Sequence, residues 1–168
     1  IIGASHVGRS WAIVFARAGH DVRLWDADPA KVGRALAWLP EAVRELRDAG
    51  LVAEEPAGVV ARVEGATSLQ DAVADADYVQ ECVVERLEVK RDVFGQLDAA
   101  APPECVLASS SSTFRTSRFA AELAGRHRCL VAHPINPPHL APIVELAPAD
   151  FTSPEIVARA RDLQRNVG

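Results

Sequence analysis

Near its start the chain reads Ile1-Ile2-Gly3-Ala4-Ser5-His6-Val7-Gly8, two β-branched residues running into a glycine-bearing turn. From Val7 to Ala18 a helical pattern follows, with Trp11, Val14, Phe15 and Ala18 at apolar positions and Gly19 as its stop. A strand handed to a helix through such a turn opens a βαβ unit. The free N–H groups and positive dipole end of the helix then face whatever lies beyond the strand, which favours an anion such as a pyrophosphate. Asp21–Trp25 reads as the second strand and is closed by Asp26, eighteen residues after Gly8. An acid at that point accepts hydrogen bonds from the ribose hydroxyls of a dinucleotide.

Gly3, Ser5, His6, Val7, Gly8 and Asp26 are therefore candidate cofactor-binding residues, and the expected cofactor is NAD. Asp26 would repel a 2′-phosphate, and Ala27 and Asp28 after it offer no arginine to accept one. Ser5 departs from the fingerprint, which has its second glycine there. A Cβ at that point intrudes where backbone should approach phosphate, and a left-handed conformation would cost about 1–2 kcal/mol. The serine hydroxyl could instead donate to the phosphate.

Beyond Asp26, Asp28-Pro29 caps a long helical pattern that reaches Asp48 and contains Pro40. The proline predicts two helices or a kinked one, a helical pair inserted after the second strand and protruding from the sheet. Strands are predicted at Val59–Glu64, Tyr78–Val84, Cys105–Ala108, Cys129–Ala132 and Ile143–Leu146. Helices are predicted at Ser68–Val73, Leu87–Leu97, Ser117–Leu123 and from Ser153-Pro154 to about Gln164. This alternation gives an α/β fold, Rossmann-like and doubly wound, with a mostly parallel sheet covered on both faces.

The 168 residues suit one domain burying about 70% of its unfolded surface. With 18 basic and 23 acidic residues and no basic stripe, the chain is not a nucleic-acid or anionic-membrane binder. No apolar run approaches a membrane span. Cys82, Cys105 and Cys129 each lie inside an apolar stretch, the pattern of reduced core thiols in a cytoplasmic protein. The chain opens within a strand, has no signal peptide and stops just past a helical pattern, so it is expected to be part of a longer protein.

His133 follows an apolar strand and precedes the proline-rich Pro134–Pro142 loop, and Glu145 lies on the next short strand. A turn through that loop brings the carboxylate back to the imidazole. A carboxylate on one ring nitrogen fixes the tautomer and frees the other to take an alcohol proton as hydride leaves the same carbon. Ser109–Thr113 comes directly after the fifth strand, at the carboxyl edge where open α/β sheets bind ligands. One hydroxyl there is expected to act on a substrate oxygen or the nicotinamide ribose, and the others to serve as turn and cap scaffolding. For Glu85 and Lys90, at the end of the fourth strand, the residues alone leave open a solvated helix start or a pocket role.

The segments GASHVGRSWA, VQECVVERLEVKRDVFGQLD, LASSSS and AHPINPPHLAPIVEL resemble the NAD-binding domain of the 3-hydroxyacyl-CoA dehydrogenase superfamily, most closely its lambda-crystallin / L-gulonate 3-dehydrogenase branch. The resemblance runs over nearly the whole chain and is most specific in the HPxNPP…PxVEL block. It implies His133 as catalytic base, Glu145 as its partner, Ser112 on the substrate oxygen and Asn136 near substrate and nicotinamide. It places Asp26 on the ribose and Glu85 and Lys90 in the cofactor pocket; of the serine run read above, Ser110 is the hydroxyl expected on the cofactor. The inserted helical pair is also a family feature.

The family carries an all-helical C-terminal domain that closes the cleft, supplies a further asparagine and holds a homodimer interface. Nothing in this sequence corresponds to it, so these residues alone are expected to bind NAD and turn over poorly. The expected reaction is oxidation of a 3-hydroxyl to the 3-keto product. A small free 3-hydroxy acid resembling L-gulonate is the first candidate substrate, and a 3-hydroxyacyl-CoA the second. The rival reading is a non-catalytic NAD-binding structural protein or sensor, crystallin-like, to which only Ser5 points.

Overall fold

The computed structural model describes residues 1–167. Six labelled strands, β1 (Val22–Leu24), β2 (Val63–Gly65), β3 (Tyr78–Glu81), β4 (Val106–Ser109), β5 (Cys129–Pro134) and β6 (Val144–Pro148), are joined through Ile2. Ile2 forms parallel bridges to Trp25 on one side and Glu81 on the other, so the spatial order is β2-β1-Ile2-β3-β4-β5-β6. All pairings are parallel except β5 with β6. The chain thus starts at the centre, winds outward one way, then returns and winds the other way, which leaves a crevice at the carboxyl ends of Ile2 and β3.

Helices cover both faces. α1 (His6–Arg17), α2 (Pro29–Asp48), α3 (Pro56–Val60) and α7 (Pro154–Val167) lie on one; α4 (Leu69–Val73), α5 (Leu87–Ala100) and α6 (Thr116–Ala120) lie on the other. Strand residues alternate between them: Val106, Ala108, Leu130 and Ala132 pack on Ile156 and Ala160 of α7, while Leu107, Cys129 and Val131 pack with Phe94, Leu97 and Phe119. Burial on both faces is why these strands read as unbroken apolar runs. The three cysteines are free and buried, and burial pushes the Cys82 thiol up to about 12.

Two expectations need correcting. The first is the two-helix alternative at Pro40, because α2 is one helix of 20 residues with Pro40 inside it. Pro40 is exposed and lies off the buried stripe that Val32, Ala35, Leu39, Ala42, Val43 and Leu46 form. That stripe packs on α1 instead of protruding, and the second helix of the pair is α3.

The second correction is the strand expected at Val59–Glu64, which begins only at Val63. Pro56 starts α3 in its favoured first-turn position, and Val59 is buried against the α1–α2 cluster. β-Branched residues suggested a strand, and packing made a helix.

Candidate functional site

The turn after Ile2 is closed by its glycines. Gly3 has φ +106°, and a Cβ there would lie 2.7 Å from the Cys82 carbonyl carbon; a Cβ on Gly8 would lie 1.8 Å from the Gly3 oxygen. These residues let α1 start hard against the sheet. Ser5 is extended, with φ −70° and ψ −178°, so the left-handed strain expected of it does not arise. Its hydroxyl caps α1, accepting from the Gly8 N–H at 3.4 Å, and donates to the Cys82 carbonyl at 3.2 Å, so it serves the turn instead of a phosphate. Among the described residues the N–H groups of His6 and Val7 take no protein acceptor, which leaves two donors at the positive end of a helix. The turn therefore fits a dinucleotide pyrophosphate.

Asp26 stands beside that turn at the end of β1. Its carboxylate accepts from the N–H groups of Ala4 and Asp28, both at 2.9 Å, and lies 3.6 Å from Lys31 Nζ. Two of its lone-pair directions remain for a ribose. Lys31 was not singled out in the sequence; its signal was a position in the first turn of the helix that Asp28 caps.

The end of β3 holds a buried ionic cluster. Lys90, 1% exposed, is no part of a solvated helix start. Its ammonium donates to both Glu81 oxygens at 3.0 Å and pairs with Glu85 at 3.1 Å. Glu81 is fully buried and also accepts from the Val83 N–H at 2.7 Å and the Ser109 hydroxyl at 2.5 Å. Burial works against charge on the partly exposed Glu85. The Ser111 hydroxyl, Lys90 and the Thr113 N–H nevertheless hold its carboxyl below the ordinary range. Glu81 escaped the sequence reading, although an acid inside the apolar run Tyr78–Val84 was its signal.

The serine run separates into inward and outward members. Ser109 binds Glu81 and Ser111 binds Glu85. Ser110 accepts from Trp11 Nε1 at 3.2 Å and Gln80 Nε2 at 2.7 Å and lies 3.3 Å from the Cys82 sulfur, so its hydroxyl faces the packed interior. Ser112 is exposed.

His133 and Glu145 are directly paired residues of the antiparallel β5–β6 ladder, so both side chains project from the same face. Nδ1 of His133 lies 3.2 Å from Glu145 Oε2. A carboxylate only accepts, so Nδ1 carries the proton and the Nε2 lone pair is left over. Asn136 is exposed in the following loop. That loop is held to α1: the Arg17 guanidinium donates to the His139 carbonyl at 3.0 Å, and Arg9 lies 4.0 Å over Trp38, whose ring meets His139 edge-on at 5.8 Å. Burial, with help from Arg17 and Arg9, pushes the His139 imidazole down, which keeps it neutral against these arginines.

The Gly3–Gly8 turn, Asp26, Glu85, Ser112 and His133 all follow or end the carboxyl side of parallel strands. One rim can therefore bind an extended anionic cofactor and offer a hydroxyl and an imidazole nitrogen to a second molecule. No helix among the described residues is long and apolar enough to cross a membrane.

A family model described as 3-hydroxyacyl-CoA dehydrogenase, NAD binding domain, matches residues 1–168. Among curated proteins, a lambda-crystallin homolog of Bos taurus is 43% identical over all of this chain and 53% of its own length. An L-carnitine dehydrogenase of Pseudomonas aeruginosa is 34% identical over 99% of this chain and 51% of its own length. The chain thus spans about half the length of the curated relatives it matches. Among solved structures, 3-hydroxybutyryl-CoA dehydrogenase of Escherichia coli superposes with a TM-score of 0.94 at 30% identity, covering all of this chain and 36% of that one.

Proposed function

Since the chain belongs to the 3-hydroxyacyl-CoA dehydrogenase NAD-binding domain family, lambda-crystallin branch, we propose that it serves an NAD-dependent oxidation of a 3-hydroxy acid to the 3-keto product. The observation that carries this reading is the His133–Glu145 pair, at the same rim as a turn that fits the cofactor's pyrophosphate. NAD supplies the hydride acceptor. The Gly3–Gly8 turn would hold its pyrophosphate with the His6 and Val7 N–H groups, Asp26 its adenosine ribose, and the Glu85 region its nicotinamide half. His133 takes the hydroxyl proton on Nε2, while Glu145 holds the ring through Nδ1 and stabilises the positive charge that develops. Ser112 and Asn136 hold the reacting oxygen. A placed base of this kind contributes about 10²–10⁴ in rate.

A small free hydroxy acid such as L-gulonate is the favoured substrate, with a cytoplasmic setting that suits three buried free thiols. The acidic balance of the chain, 23 acids against 18 bases, suits this better than a CoA thioester with its phosphates. Steady-state rates of the full-length protein on L-gulonate, 3-hydroxybutyrate and 3-hydroxybutyryl-CoA test the assignment. The expected result is a higher kcat/KM on a free acid. The CoA thioester running faster would reassign the substrate, and NADH binding with no turnover on any of the three would favour the structural or sensor reading.

A further inference from the structure

Resting on the cofactor half of that reading, we propose that Lys31 is a second determinant of cofactor choice. It takes the 2′-phosphate of NADPH and so makes this chain accept that cofactor as a weaker alternative to NADH. The two cofactors differ only by a phosphate on the adenosine 2′-oxygen, the atom that faces the acid at the end of β1. Groups of opposite charge stand at that point. The Asp26 side chain is 12% exposed and is pinned through both oxygens, Oδ2 by the Ala4 N–H and Oδ1 by the Asp28 N–H. It cannot turn away, so it repels a phosphate at fixed range.

Lys31 is the opposite case. It sits in the first turn of α2, its N–H donating to the Asp28 carbonyl at 2.9 Å, and its side chain is 50% exposed. Its ammonium lies 3.6 Å from Asp26 Oδ1, too far for a good hydrogen bond, and among the described residues no second carboxylate comes within 4.0 Å of it. All three of its protons are therefore available, and a flexible four-carbon stem lets them follow a phosphate. On an unphosphorylated ribose the same ammonium meets only a neutral hydroxyl. Lys31 thus acts on NADPH and hardly on NADH. Arg34, further along α2, is equally exposed to solvent but lies 3.7 Å from Asp28, so it supplies a control of like charge.

The test is fluorescence titration of the full-length protein with NADH and with NADPH, in the parent, Lys31→Met and Arg34→Met. The parent should bind both, NADH the tighter. Lys31→Met should weaken NADPH by about tenfold, the loss of one charge-assisted hydrogen bond. NADH should shift by less than about twofold, as for an exposed pair. Arg34→Met should leave both as in the parent, and the NADPH effect of Lys31→Met should shrink in high salt. Asp26→Asn should move the preference towards NADPH, and adding Lys31→Met should undo that gain. A parent that binds NADH but not NADPH would overturn the assignment. So would a Lys31→Met that weakens both cofactors alike, or an Arg34→Met that weakens NADPH as much. Binding needs no turnover. A parent that binds both cofactors and oxidises no 3-hydroxy acid would count against the dehydrogenase reading alone. Normal turnover with NAD, and NADPH affinity unmoved in Lys31→Met, would count against Lys31 alone.

Discussion

Two acid–base clusters stand at the same rim of the sheet and are built in opposite ways. After β3, Glu81 and Lys90 are sealed from water and every oxygen and proton has a partner. On the β5–β6 hairpin, His133 and Glu145 meet across a ladder with the glutamate side chain 76% exposed. The first arrangement is rigid, because breaking any member strands a charge in a low-dielectric interior. The second contributes little to stability, because water screens it, yet it keeps a nitrogen accessible. A scaffold and a reacting group need opposite surroundings, and the proposed base, His133, has the open one.

Stability measurements should separate the clusters. Lys90→Met leaves Glu81 buried without its counter-ion and should lower the unfolding free energy by about 3–5 kcal/mol in urea denaturation. A loss below that of a surface substitution would show the pair to be solvated. Ser109→Ala removes one hydrogen bond to the same carboxylate and should cost about 1.5–3 kcal/mol. Glu145→Gln, in the open pair, should change stability by less than about 1 kcal/mol while lowering kcat, a split that the sealed cluster cannot show.

The smallest effect concerns pH. Glu85 has a lowered pKa in the folded chain, so its ionised form stabilises the fold above the ordinary carboxylate range, and that contribution fades as pH falls below it. Glu85→Gln should therefore sit below the parent in stability at neutral pH, and the gap should narrow on acidification. A gap that widened on acidification would contradict a lowered Glu85 pKa.

Much of this architecture was legible in the sequence because it rests on local rules. The turn at Gly3–Gly8, the Asp28-Pro29 cap and the His133-to-Glu145 return obey backbone geometry and strand alternation, which a sequence carries directly. The misreadings came where packing overrode local preference: Pro40 sits harmlessly on a wet face, and Val59-Val60 joined a helix. Glu81 was passed over because its meaning depends on Lys90, nine residues on, and Ser109, on another strand. Ser5 looked like a defect until its extended backbone showed it to be a cap.

The proposed role of His133 as proton acceptor beside a bound cofactor is tested most directly by His133→Ala in the full-length protein. NADH affinity, read by fluorescence titration, should match the parent, because the variant leaves the Gly3–Gly8 turn and Asp26 untouched. Turnover of the preferred 3-hydroxy acid should fall by about 10²–10⁴. Near-parental turnover with intact NADH binding would contradict the assignment of this imidazole as the base.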